Sequence, residues 1–129
     1  MKLEHIAFNV AEPEKVAEWY QAHLGLKLAK VIPTPTFTAY FLVDEHQSML
    51  EFYHNPIAPV PDYAALHPAN LHVAFHVADV EAETNRLTAA GATKVGDKTA
   101  LPNGTEYSYV RDPWGLALQI IKRPAPLLG

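Results

Sequence analysis

In the stretch Glu4-His5-Ile6-Ala7-Phe8-Asn9-Val10, the apolar residues Ile6, Phe8 and Val10 alternate with His5, Ala7 and Asn9. Almost the same pattern returns as Leu71-His72-Val73-Ala74-Phe75-His76-Val77, again led by a histidine. A period of two marks a half-buried strand: one face can pack on a helix, and the opposite face, headed by an imidazole, looks elsewhere.

The elements after each copy also correspond. Ala11-Glu12-Pro13 reads as a helix entry, because proline in the first turn loses no hydrogen bond. Val16, Trp19, Tyr20 and Leu24 then recur at helical spacing as one inward stripe, and Gly25 closes the helix. Strands are expected over Leu26–Ile32, stopped by Pro33-Thr34-Pro35, over Thr36–Val43, and, beyond the polar turn at Asp44–Gln47, over Ser48–Tyr53. In the last of these Leu50 and Phe52 face one way, while Met49, Glu51 and Tyr53 face the other. Asn55–Asn70, with Pro56, Pro59, Pro61 and Pro68, reads as an extended linker between two units.

In the second unit Asp79 is an expected N-cap, with a helix over Val80–Ala90 and Gly91 at its end. Strands follow over Thr93–Lys98, Thr105–Arg111 and Leu116–Lys122, with turns at Pro102-Asn103-Gly104 and Asp112-Pro113-Trp114-Gly115. His5 and His72 lie 67 residues apart, Gly25 and Gly91 lie 66 apart, and Glu51 and Gln119 lie 68 apart. Register held across that many elements makes the chain a tandem βαβββ repeat, an α+β fold whose mixed sheets are expected to form a cupped surface with one helix per unit outside. The units are expected at about 1–54 and 71–123 within one domain spanning 1–129, joined by the proline-rich linker at 55–70.

Composition narrows the function classes. A chain of 129 residues with 49% hydrophobic residues can bury a core. It has no apolar run of membrane-spanning length and no basic-then-apolar leader, so a soluble, cytoplasmic protein is expected. A net charge of −4 and the lack of a Lys/Arg cluster speak against nucleic acid or an acidic membrane as partner, which leaves a small molecule. Zero cysteines exclude disulfides, thiolate metal sites and a cysteine nucleophile. Of the seven histidines, His23, His46, His54 and His67 lie in helical or turn contexts and read as surface residues.

His5, Glu51, His72 and Gln119 therefore occupy repeat-equivalent places, as two imidazoles, one carboxylate and one carboxamide. If the sheets curl around a shared cavity, these four side chains can meet there. Asn9 and His76 share their face about 7 Å further along the first strand of each unit, and with Tyr107 and Arg111 they are candidate substrate contacts.

The paired βαβββ units, the repeated H-[IV]-A-F-x-V, the helix ending in glycine and Arg-Asp-Pro-Trp-Gly before the last strand resemble the vicinal oxygen chelate superfamily. This is the group of glyoxalase I, bleomycin-resistance proteins, fosfomycin-resistance proteins, methylmalonyl-CoA epimerase and extradiol dioxygenases. The resemblance runs from about Met1 to Arg123, and its pattern is most like glyoxalase. It implies one divalent metal, Ni, Zn, Mn or Fe, held by His5, Glu51, His72 and Gln119. Gln119 departs from the pattern, which normally has a glutamate there; an amide oxygen can coordinate a metal but takes no proton.

The implied activity is that of a metal-dependent lyase or isomerase, with Glu51 as the one candidate base, acting on a small oxygenated substrate that chelates the metal. A metal-free binding protein of the bleomycin-resistance type is the alternative, and an Fe(II) dioxygenase the second. Gln119 argues against the dioxygenase, because in the ring-cleaving relatives the carboxylate comes from the second unit's last strand. Relatives also imply a homodimer.

Overall fold

The computed structural model describes residues 1–128, with the elements β1 (Ile6–Asn9), α1 (Pro13–His23), β2 (Lys27–Pro33), β3 (Thr38–Val43), β4 (Met49–Tyr53), β5 (Val73–His76), α2 (Val80–Ala89), β6 (Thr93–Ala100), β7 (Glu106–Arg111) and β8 (Ala117–Lys122). The expected βαβββ order stands twice in this sequence. Two compact units, Met1–Pro61 and Asp62–Gly129, divide the segment read as a linker between them.

In the first unit the strands lie in the order β1-β4-β3-β2. β1 runs parallel to β4, with Phe8 beside Phe52 and Ala7 beside Glu51, and the other pairs are antiparallel. One face carries the core: the Phe8 and Phe52 rings stack at 5.8 Å, and Tyr20 of α1 meets Phe52 at 4.8 Å. Tyr20, Phe52, Leu42 and Val16 are fully buried, each contributing roughly 1.5–3 kcal/mol through loss of apolar surface to water. Trp19 and Leu24 of the same stripe are only half-buried, and Ala17 is buried instead. Gly25 takes φ +70°, the left-handed turn that ends α1.

Two expectations change here. Ile6 alternates with the core residues Phe8 and Val10 but is 50% exposed, so burial along β1 begins only at Phe8. Pro33 lies within β2 rather than beyond it, paired with Thr38. β2 is an edge strand and all seven of its residues are exposed, so a proline and two lysines (Lys27, Lys30) are tolerated where they also discourage pairing with another edge.

In the second unit the order is β5-β8-β7-β6, again with the first and last strands parallel: Ala74 lies beside Gln119 and Phe75 beside Ile120. α2 packs on the face carrying Val110, Leu118 and Ile120, with Val80 and Leu87 buried beneath it. Asp79 caps this helix, its carboxylate accepting from the N–H of Ala82 at 3.0 Å. At the Asp112-Pro113-Trp114-Gly115 turn, the buried Asp112 carboxylate accepts from the N–H groups of Trp114 and Leu116 at 2.9 and 3.0 Å.

The segment after β4 is less extended than its prolines suggest. Tyr63–Ala65 forms one 3-10 turn in the second unit, with Tyr63 buried. Gly115, at φ +97°, lies so close to it that a Cβ there would meet the Ala64 nitrogen at 2.8 Å. Among the described residues no helix is long and apolar enough to cross a membrane.

Candidate functional site

The face of each sheet opposite its helix carries the candidate donors. In the first unit Glu51 alternates with the buried Leu50 and Phe52 along β4, so its carboxylate emerges on the free face with 15% of the side chain exposed. His5, just ahead of β1, stands over the same face, with Nε2 3.7 Å from Glu51 Oε1 and Nδ1 3.0 Å from Glu4 Oε1. A carboxylate only accepts, so the neutral ring carries its proton on Nδ1 toward Glu4. Its Nε2 lone pair then faces the Glu51 oxygen. Two lone-pair atoms at that separation suit a cation between them. Phe41, beside Glu51 in the β3–β4 register, meets the His5 ring edge to face at 5.3 Å.

The second unit repeats this with different chemistry. His72 Nδ1 lies 2.7 Å from the Pro68 carbonyl, so Nδ1 is the donor and Nε2 keeps its lone pair in the neutral ring. Holding one imidazole nitrogen on a backbone carbonyl while the other is left to ligate is a recurrent arrangement at metal sites. Tyr109, beside Gln119 in the β7–β8 register, meets the His72 ring at 5.4 Å. Gln119 Nε2 donates to the Tyr109 hydroxyl at 3.1 Å.

Imidazole nitrogens, carboxylate oxygens and amide oxygens are each donors that suit first-row divalent ions. Within either unit, among the described residues, no three His, Asp or Glu side chains form a metal-holding group by themselves. In the first unit His5 stands by Glu51; in the second, His72 and Gln119 both meet Tyr109.

The other candidates are placed as follows. Asn9 is occupied by backbone: its amide donates to the carbonyls of Asn55 and Ala58 at 3.2 and 3.1 Å, and its oxygen accepts from the Asn55 N–H at 2.8 Å. Arg111 donates to the carbonyls of Tyr63, Leu66 and Gly115 at 3.0, 2.8 and 3.1 Å, which ties down the 3-10 turn. Tyr107 packs against Tyr109 at 5.7 Å, on the same face of β7. His76 is exposed and accepts from the Arg123 N–H at 3.4 Å; with Ala74, Ile121 and Pro124–Leu127 it lines a cavity of about 440 Å³. A smaller cavity of about 330 Å³ lies by Glu4, Phe41 and Met49 in the first unit.

Phe41 and Tyr109, which wall the two donor pairs, were not among the residues expected from sequence. The signal was available: they lie 68 residues apart, the same offset that relates Glu51 to Gln119.

Residues 2–120 match the family model of the Glyoxalase/Bleomycin resistance protein/Dioxygenase superfamily. The chain belongs to this superfamily. A lactoylglutathione lyase from Neisseria meningitidis is 32% identical over 129 residues, covering 95% of this chain and 91% of the relative. A 2-epi-5-epi-valiolone epimerase from an Actinomyces species is 26% identical over 149 residues, covering 95% and 80%. Among solved structures, a glyoxalase-family protein from Bacillus cereus superimposes with a TM-score of 0.82 at 19% identity, covering 95% of this chain and 93% of that one, a likeness of fold. The tandem βαβββ architecture is thus that of a glyoxalase-superfamily protein, in which the donor pairs stand at equivalent places of the two repeats.

Proposed function

We propose that this glyoxalase-superfamily protein is a divalent-metal-dependent lyase or isomerase, acting on a small oxygenated molecule whose neighbouring oxygens chelate the metal. One observation carries the reading: each repeat presents an imidazole with Nδ1 engaged on an oxygen, and each has an oxygen-bearing side chain at the matching place of its last strand. A lyase and an epimerase among the relatives fit the same class of chemistry.

His5, Glu51, His72 and Gln119 are the residues that would hold the metal. When bound, a divalent ion would supply Lewis-acid polarisation of a substrate carbonyl oxygen. Glu51 is the base: it is the one carboxylate of the set, only slightly exposed, and it takes the proton alpha to the substrate carbonyl and returns it. His5, hydrogen-bonded to Glu4, keeps its ring oriented toward that carboxylate. Gln119 takes no proton, so the transfer runs through one base rather than two. The Phe41 and Tyr109 rings pack edge to face on the His5 and His72 rings.

The test is elemental analysis of protein purified without added metal, followed by solvent-deuterium exchange into hemithioacetals and related α-hydroxycarbonyl compounds. Stoichiometric nickel, zinc, manganese or iron with metal-dependent exchange supports the proposal. The carboxamide at Gln119 favours a second reading, a metal-free binding protein of the bleomycin-resistance type. Metal-free protein that binds small molecules and exchanges no deuterium would decide for it.

A further inference from the structure

Glu51 and Gln119 are the same position in two copies of one repeat, and their cross-strand neighbours differ along with them: Phe41 stands beside the carboxylate and Tyr109 beside the carboxamide. Both rings meet the unit's histidine edge to face, at 5.3 and 5.4 Å, so the hydroxyl is the one addition made in the second unit. Its partner is the Gln119 NH₂, at 3.1 Å.

A carboxylate has two equivalent oxygens, and either can face a ligand. A carboxamide does not: one end accepts and the other donates, and a half-turn about its last bond replaces a lone pair with two N–H groups. Pointed at a cation, the wrong end repels it. Orientation therefore matters for Gln119 in a way it does not for Glu51. Among the described residues the hydroxyl engages Nε2, and Gln119 Oε1 has no hydrogen-bond partner. Every buried side-chain oxygen or nitrogen among them is satisfied, so Oε1 is the end open to solvent.

We infer that Tyr109 is a positioning residue: its hydroxyl, by accepting from the Gln119 NH₂, supports the amide with its oxygen outward, the orientation in which a carboxamide can serve where the other repeat uses a carboxylate. This rests on the metal-dependent reading above for its consequence, but not for the contact itself. Tyr109 touches no reacting atom; it acts through Gln119 and steadies the His72 ring beside it.

The experiment is a two-by-two set, the natural protein, Tyr109→Phe, Gln119→Glu and the double variant, read in two ways. Phenylalanine is tolerated at the matching place of the first repeat, so Tyr109→Phe is expected to fold. The first reading is NMR of the metal-free protein, with the Gln119 NH₂ signals identified by their loss in Gln119→Glu. Tyr109→Phe should move them toward solvent-exposed shifts and speed their exchange. Unchanged signals overturn the inference.

The second reading is divalent-metal titration by calorimetry. Loss of one neutral hydrogen bond should weaken metal binding about three- to ten-fold in the natural background. In the Gln119→Glu background, where the two carboxylate oxygens are equivalent, the same change should cost less than about two-fold. Equal loss in both backgrounds makes Tyr109 a general structural residue, and loss in neither makes its hydroxyl idle; either result overturns the inference. Absence of metal binding by the natural protein overturns the functional proposal instead, and the amide signals then decide the contact alone.

Discussion

Arg111→Met removes a guanidinium that donates to the carbonyls of Tyr63, Leu66 and Gly115 at 3.0, 2.8 and 3.1 Å, while keeping most of the aliphatic stem. Hydrogen bonds from a charged donor contribute roughly 1.5–3 kcal/mol each. The three share one cation, however, and Ala64 and Ala65 are exposed, so water reaches the freed segment and replaces much of what is lost. The expected net cost is about 3 kcal/mol, a large fraction of the roughly 5–15 kcal/mol that holds a domain folded.

At this chain length that corresponds to a melting temperature lower by about 10 °C. Urea unfolding should show a lower midpoint with an unchanged slope, since the same surface is exposed on unfolding. Arg111→Lys should recover only a minor part, because an ammonium cannot reproduce a planar fork aimed at three carbonyls. The opposite outcome is equally clear. A melting temperature within about 2 °C of the natural protein, together with a tenfold or greater loss of activity or ligand affinity, would return Arg111 to the substrate site and refute the structural reading.

Gln119→Glu is expected to bind a divalent metal more tightly and to raise deuterium exchange alpha to a carbonyl, by up to the roughly 10²- to 10⁴-fold attributed to a positioned acid–base group, while Glu51→Gln lowers both. Unchanged metal affinity in Gln119→Glu removes Gln119 from the ligand set. His72→Ala should weaken metal binding by about an order of magnitude or more, and His23→Ala, whose ring packs on Trp19 at 5.2 Å, should leave it unaltered. Gly115→Ala should destabilise by about 3 kcal/mol in urea unfolding, because it combines a positive φ with a Cβ 2.8 Å from the Ala64 nitrogen. The homodimer implied by the family should appear as twice the chain mass by light scattering at micromolar concentration, and a monomer there rejects it.

Much of the fold was legible from local pattern. Alternation in Glu4–Val10 and Leu71–Val77, the helical stripe around Tyr20, the cap at Asp79 and the glycines at 25 and 91 are each decided within a few residues, by side-chain period and backbone sterics. The repeat itself was also in the sequence, since equal offsets between landmarks need no coordinates. It placed His5, Glu51, His72 and Gln119 at repeat-equivalent places; the registers Ala7 with Glu51 and Ala74 with Gln119 bear out the equivalence of Glu51 and Gln119, while His5 and His72 each lie one residue ahead of their strand.

What tertiary structure alone decided is which partner each polar group meets. Asn9 and Arg111 carry side chains fit for a substrate, yet both are occupied by backbone 45 to 49 residues away, and nothing local in the sequence marks which carbonyls a folded chain will bring to them. The edge strand β2 has the apolar residues of a buried strand and lies exposed, because burial depends on what packs against a sheet and not on the strand's own period. The proton positions on His5 and His72 follow from Glu4 and Pro68, and the orientation of Gln119 follows from Tyr109 across the strand. Local chemistry determined where the donors stand along the chain; the cross-strand register and the long-range carbonyls determined which of their atoms are left to act.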